Sequence, residues 1–155
     1  MTSLRKSSLP QAGRTIVLSI KPKYADLILA GTKTVEFRRA WAAEKVDTIA
    51  IYASAPIQRI VGVAQVSDVV SAKPTLLWDY CKKRGGGLSR SELFTYLCGK
   101  TRGIAIFLRD VRKFDQGIVP SRVIEDFLPP QSFRYMTAAE VRKLERVALK
   151  LGATR

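Results

Sequence analysis

Four short runs rich in β-branched and apolar residues crowd into the stretch from Thr15 to Val70, and only one gap between them is long enough for a helix. That spacing constrains the fold more than any other feature. Repeated βαβ units need a crossover of a dozen or more residues between strands, so a doubly wound parallel sheet is excluded. The runs are Thr15 to Ile20, Lys33 to Arg39, Asp47 to Ser54 and Gln58 to Val70. Pro22 fits the first turn of a helix, where its missing N–H costs nothing. Tyr24, Leu27 and Ile28 then make an i, i+3, i+4 apolar stripe, and Gly31 is placed to end it. Gly62 inside the fourth run predicts a bulge or sharp coil.

A helical insertion over residues 74–99 follows. Pro74 to Lys83 carries Leu77, Trp78 and Cys81 on one side, and Arg84-Gly85-Gly86-Gly87 breaks it. Ser89 and Glu92 have the spacing of a capping box for a second helix, with Leu93, Phe94 and Leu97 as its buried stripe. Gly103 to Val111 reads as a fifth strand. Residues 112–133 read as loop-rich, with room for one further edge strand. Thr137 and Glu140 make another capping box, opening a C-terminal helix over 137–151 that buries Val141, Leu144, Ala148 and Leu151 and stops at Gly152. The order β-α-β-β-β-αα-β predicts an α+β fold, a small mixed β-barrel of about five or six strands. Residues 1–14 read as a flexible basic arm and 15–155 as one domain.

The chain has 27 Lys plus Arg against 13 Asp plus Glu in 155 residues, a formal net charge of +14. Such an excess concentrates polyanions around a protein, and nucleic acid is the commonest of these. Histidine is absent, which excludes Ser-His-Asp and Cys-His catalysis and imidazole-dependent zinc sites. The cysteines, Cys81 and Cys98, match no metal or redox spacing, and lying beside apolar residues both read as buried free thiols, as in a reducing cytoplasm. No Asp/Glu cluster gathers near the other candidate residues, so no metal or other cofactor is expected. No apolar run approaches the roughly 20 residues of a membrane helix, and no membrane partner is expected.

Gly31-Thr32-Lys33-Thr34-Val35-Glu36-Phe37-Arg38 fits the pattern G-x-K-x-x-E-x-R. Leu18-Ser19-Ile20-Lys21-Pro22 precedes it, Arg39 and Trp41 follow, and Ile51-Tyr52-Ala53-Ser54 with Ile60-Val61-Gly62 forms the next hairpin. In this context the motif resembles the signature of ASCH domains, within the PUA-like superfamily. The likeness is greatest to bacterial and archaeal members regarded as regulators, and it runs from about Ile16 to Phe114. The resemblance implies a PUA-like barrel beside a cleft for RNA or a nucleotide-like ligand. It also implies amidohydrolase or ribonuclease activity in some branches.

Strand alternation sends Val35 and Phe37 into the barrel and Glu36 and Arg38 together onto the other face, with Lys33 at the strand start. Arg38 can grip a phosphate through two parallel hydrogen bonds, and Glu36 can accept from a nucleobase amino group. Lys21 and Arg39 add phosphate attraction. On the non-core face Tyr52 could stack a base and Ser54 donate to a phosphate, with Trp41 as a wall. The plain alternatives are a salt-bridge ladder for Glu36, barrel packing for Tyr52 and a barrel-end plug for Trp41.

The amidohydrolase branch resembles a Lys–Thr–Glu arrangement with threonine three residues after the lysine. Here Glu36 occupies that place, and Thr34 follows Lys33 directly, aimed the other way. A ribonuclease without histidine would draw its acid/base pair from Lys33 or Lys21 with Glu36. Three functions are therefore expected in order: an RNA-binding module, regulatory in kind; an enzyme acting on RNA or a modified nucleoside in the same cleft; and a protein-interaction adaptor docking through the insertion. RNA is favoured over DNA, and the sequence does not set the oligomeric state.

Overall fold

The structure, a computed structural model, describes residues 12–151 and 153–154. The remainder of the expected N-terminal arm and the stop at Gly152 lie outside the described residues. The strands are β1 (Arg14–Ile20), β2 (Val35–Arg38), β3 (Val46–Ala53), β4 (Arg59–Ala72), β5 (Gly103–Ile118), β6 (Phe133–Tyr135) and β7 (Ala153–Thr154). The helices are α1 (Pro22–Leu29), α2 (Pro74–Lys83), α3 (Arg90–Tyr96) and α4 (Ala138–Leu151).

One mixed sheet runs in the order β2-β5-β4-β3-β1-β6, with β7 pairing β5 off this path. It curls into a half-barrel, as the α+β reading expected. β1 and β3 pair in parallel, and the other ladders are antiparallel. β1 feeds α1 and then β2, which pairs at the far edge of the sheet rather than beside β1, and the Arg38 side chain reaches back from it to the Ser19 carbonyl.

Gly62 stands where the ladders slip, between Ile60 and Gly62 against β5 and between Ile51 and Tyr52 within β3. A Cβ there would lie 2.5 Å from the Arg112 carbonyl oxygen and 2.6 Å from Leu29. Only glycine lets strand and helix approach so closely.

Three apolar clusters hold the fold. The first fills the concave side with Ile16, Leu18, Ile28, Ile49, Ile51 and Ile106. The second packs α4, through Leu144 and Ala148, against Val17, Ala50 and Tyr52. The third buries α2 and α3 against Val35, Phe37, Ala105 and Phe107.

These clusters correct two expectations. Val35 and Phe37 do not enter the barrel: they pack beneath the helical insertion. Directly opposed residues share a face, so Glu36, opposite Ile106, and Arg38, opposite Ile104, point to the concave side. Strand β5 also runs seven residues past Val111, because Phe114 and Ile118 are buried under α4. Polar Gln116 between them on the same face, and the positive φ of Asp110, hide that extension from a period-2 search.

Both capping boxes form. Ser89 Oγ accepts from Glu92 N (3.1 Å) while Glu92 Oε1 accepts from Ser89 N (2.9 Å). Thr137 and Glu140 repeat the exchange at 3.1 and 2.9 Å.

A buried charge cluster at the sheet mouth as candidate functional site

Lys33, Glu36 and Arg38 do converge. Lys33 Nζ lies 3.3 Å from Glu36 Oε1, and Arg38 Nη2 lies 2.7 Å from Glu36 Oε2. The turn after α1 delivers Lys33: Thr32 N and Lys33 N both donate to the Leu27 carbonyl, wrapping the chain tightly into β2.

Lys33 is not the projecting cation that the sequence suggested. It is 1% exposed, donates to the Gly86 carbonyl, and has the Tyr24 and Phe37 rings at 5.4 and 5.5 Å. Glu36 is 7% exposed, with both oxygens engaged. The two residues are an internal strut more than a grip. Their charges are tolerable in the core because each is paired and hydrogen-bonded.

Arg38 differs. Its Nη2 also donates to the Ser19 carbonyl (2.9 Å), tying β2 to the end of β1. Its Nε is buried without a hydrogen-bond partner, the one such side-chain atom among the described residues. An unpaired buried donor costs about 1–3 kcal/mol.

The surroundings bring in residues the sequence reading missed. Tyr96, at the end of α3, is 39% exposed. Burial of its remainder raises its hydroxyl pKa, an effect opposed by Arg38 and reinforced by Glu36. Tyr24 on α1 is raised by burial first and then by the Glu92 and Glu36 carboxylates. Glu92 in turn is lowered by the Ser89 backbone and hydroxyl. Tyr24 was visible only as an apolar stripe residue, and no local signal marked Tyr96, which comes from a helix about sixty residues beyond the motif.

The other expected residues divide. Arg39 is exposed, and its Nη1 donates to the Tyr96 and Cys98 carbonyls at 2.8 Å, so it fastens the insertion beside the cluster. Lys21 is exposed at the start of α1. Trp41 packs on the first cluster, 5.9 Å from the Phe133 ring, as a plug for the sheet end. Ser54 lies in the turn just after β3, its N–H donating to the Ile20 carbonyl. Tyr52 is not a base-stacking platform: it is 2% exposed in the second cluster, with Phe127 at 5.2 Å. β3 is buried on both faces, so alternation along it separates two cores rather than core from solvent. Burial raises the Tyr52 hydroxyl pKa, with Arg59 opposing.

No group of three or more His, Cys, Asp or Glu side chains that could hold a metal ion occurs among the described residues. No helix among them is long and apolar enough to cross a membrane. Lys33 and Thr34 diverge as alternation predicts, Thr34 Oγ1 donating to the Arg84 carbonyl (3.0 Å).

A curled α+β sheet with a paired Lys-Glu-Arg cluster on its concave side, roofed by one short helix and one helical insertion, defines a compact charged-mouth domain class. The chain belongs to the ASCH domain family. The ASCH domain model matches residues 18–95. An ASCH domain-containing ribonuclease of Zymomonas mobilis is 32% identical over 135 residues, covering 83% of this chain and 88% of the relative. The crystal structure of ASCH from Zymomonas mobilis superposes with a TM-score of 0.80 at 30% identity, covering 86% of this chain and 95% of that one. The N-terminal domain of Staphylothermus marinus McrB shares the fold alone, with a TM-score of 0.56 at 12% identity over 85% of this chain and 93% of that one.

Proposed function

We propose that this chain is an RNA-binding ASCH domain whose ligand sits at the sheet mouth, against Arg38 and Tyr96. The observation that carries this reading is Arg38, held by Glu36 with 11% of its side chain exposed and its charge acting on the part-exposed Tyr96. A phosphate oxygen or a base carbonyl would meet the part of the Arg38 side chain that reaches the surface, 11% of it, and Tyr96 offers a ring for stacking. Lys21 and Arg39 lie on the exposed approach and attract the backbone, and the net charge of +14 favours encounter with any polyanion. Glu36 acts indirectly, fixing Arg38 by their ion pair.

A second reading, RNA cleavage in the same place, is favoured by the ribonuclease from Zymomonas mobilis. In that reading Arg38 stabilises charge on the phosphate. Tyr24 and Tyr96 then hold their hydroxyl protons as neutral hydrogen-bond donors beside the cluster, since burial raises both pKa values and makes them weaker acids, not stronger ones. Cys81 is buried as expected, whereas Cys98, just past the end of α3, is exposed; two free thiols suit a cytoplasmic setting.

The test titrates labelled single- and double-stranded RNA and DNA at several salt concentrations and examines the same samples for products. Single-stranded RNA should bind most tightly. Its log affinity should fall with log salt by about 0.7 per phosphate contact. Equal, weak binding of all four polymers would refute the reading, and new RNA termini that Tyr96→Phe slows would promote cleavage over binding.

A further inference from the structure

A hollow of about 360 Å³ lies outside the charge cluster, between α2 and the β4–β5 ladder, lined by Ser67, Asp68, Tyr80, Lys83, Arg84 and Phe107. Its volume suits a group the size of one nucleotide. Phe107 forms a rigid floor. Tyr80 meets it edge-on at 5.1 Å, and the Arg84 guanidinium lies over its ring at 4.8 Å. Arg84 is pinned there because its Nε donates to Thr34 Oγ1 (3.1 Å). The result is an L-shaped corner: the Arg84 guanidinium caps the buried Phe107 ring, and the Tyr80 ring stands at 87° to it as the wall against which an unpaired base can stack.

The two cations that end α2 are not equivalent. Lys82 pairs with Asp79 at 3.6 Å and lies over the Trp78 ring. Lys83 makes no ion pair among the described residues and lines the hollow. On the other wall Asp68 Oδ1 accepts from the Val69 N–H (2.8 Å), which orients the carboxylate. An aspartate so placed can accept from an exocyclic amino group of a base.

We propose that this hollow is a second RNA subsite. It takes a single nucleotide whose phosphate meets Lys83 and Arg84, whose base lies against Tyr80, and whose amino group donates to Asp68. Cytidine is therefore preferred over uridine, which offers a carbonyl at the corresponding position. The inference rests on the RNA reading above and extends it. One segment serves both places, since the Gly86 carbonyl holds Lys33 at the mouth while the Arg84 side chain, two residues earlier, faces the hollow. A strand crossing the Arg84–Gly87 segment would touch both.

The experiment compares fluorescein-labelled octacytidylate and octauridylate by anisotropy, using the full chain and its Asp68→Asn and Lys83→Gln variants. Both positions are exposed, so the fold is retained. In parallel, cytidine 5′-monophosphate is titrated while backbone amide shifts of residues 67–70 and 83–84 are followed by NMR. The wild type should prefer octacytidylate by about fivefold or more, and Asp68→Asn should bring the two to near parity. Lys83→Gln should weaken both equally and lower the salt slope by about 0.7. Unchanged binding by both variants, with unmoved amides, would overturn the subsite while leaving RNA binding at the mouth intact. If neither octamer binds the wild type, the RNA reading falls. The hollow is then kept by cytidine monophosphate shifts that Asp68→Asn abolishes, and overturned by amides that do not move.

Discussion

Replacing Glu36 by glutamine removes the one negative charge between Lys33 and Arg38. The carboxylate side chain is 9% exposed, and its partners are 1% and 11% exposed, so water cannot take over its role. Lys33 keeps only the Gly86 carbonyl and two ring faces; Arg38 keeps the Ser19 carbonyl. Removing one partner of a buried ion pair typically costs about 3–5 kcal/mol, because an uncompensated charge is left in the interior. For a chain of this size each kcal/mol moves Tm by about 2–4 °C, so Glu36→Gln should melt roughly 6–20 °C lower. Urea unfolding should show a lower midpoint with an unchanged slope. Adding Lys33→Met to Glu36→Gln should cost less than the sum of the single changes, since one stranded cation is then gone. A loss below about 1 kcal/mol, the value of an exposed surface pair, would refute the argument that this cluster is a buried strut.

Four further outcomes follow from local geometry. Ser89→Ala should destabilise by about 1 kcal/mol, read by thermal melts, because it breaks the capping box of a helix only seven residues long. Gly62→Ala should cost about 1–3 kcal/mol in urea unfolding, since the new methyl meets the Arg112 carbonyl and Leu29. Glu140 is raised by burial, but the Thr137 backbone and Arg134 outweigh that and its pKa is lowered. A carboxylate with a depressed folded pKa stabilises above its unfolded pKa and loses that contribution as pH falls through the folded one. Stability measured below about pH 5 should therefore fall less steeply in Glu140→Gln than in the wild type. Lys21→Ala should leave Tm within about 1 °C, because its side chain is exposed, yet weaken single-stranded RNA and flatten its salt dependence.

What the sequence disclosed was local. β1 to β4, the first helix and both capping boxes rest on patterns spanning a few residues, and each formed within one or two residues of its expected place. The motif likewise brought Lys33, Glu36 and Arg38 together through one turn and one strand. The non-local part was hidden. Whether a strand face meets solvent or a second core depends on what returns from elsewhere in the chain. The insertion covers Val35 and Phe37, and α4 covers Tyr52. For the same reason Lys33 reads as a surface cation in sequence and is sealed by Tyr24 and Gly86 in the fold. Tyr96 reaches the site only because α3 folds back over it, fastened by Arg39.

These placements also decide which residues can report on function. Lys33, Glu36 and Arg38 hold the fold, so their substitution confounds binding with stability, whereas Lys21 and Tyr96 can be changed at the surface. The claim that RNA lies at the sheet mouth is tested most directly by photocross-linking a single-stranded RNA carrying 4-thiouridine and mapping the attached peptides by mass spectrometry. Attachment concentrated on the peptides carrying Lys21 and Tyr96, and lost at high salt, is the predicted result. Attachment confined to α4, with those peptides unmodified, would contradict it.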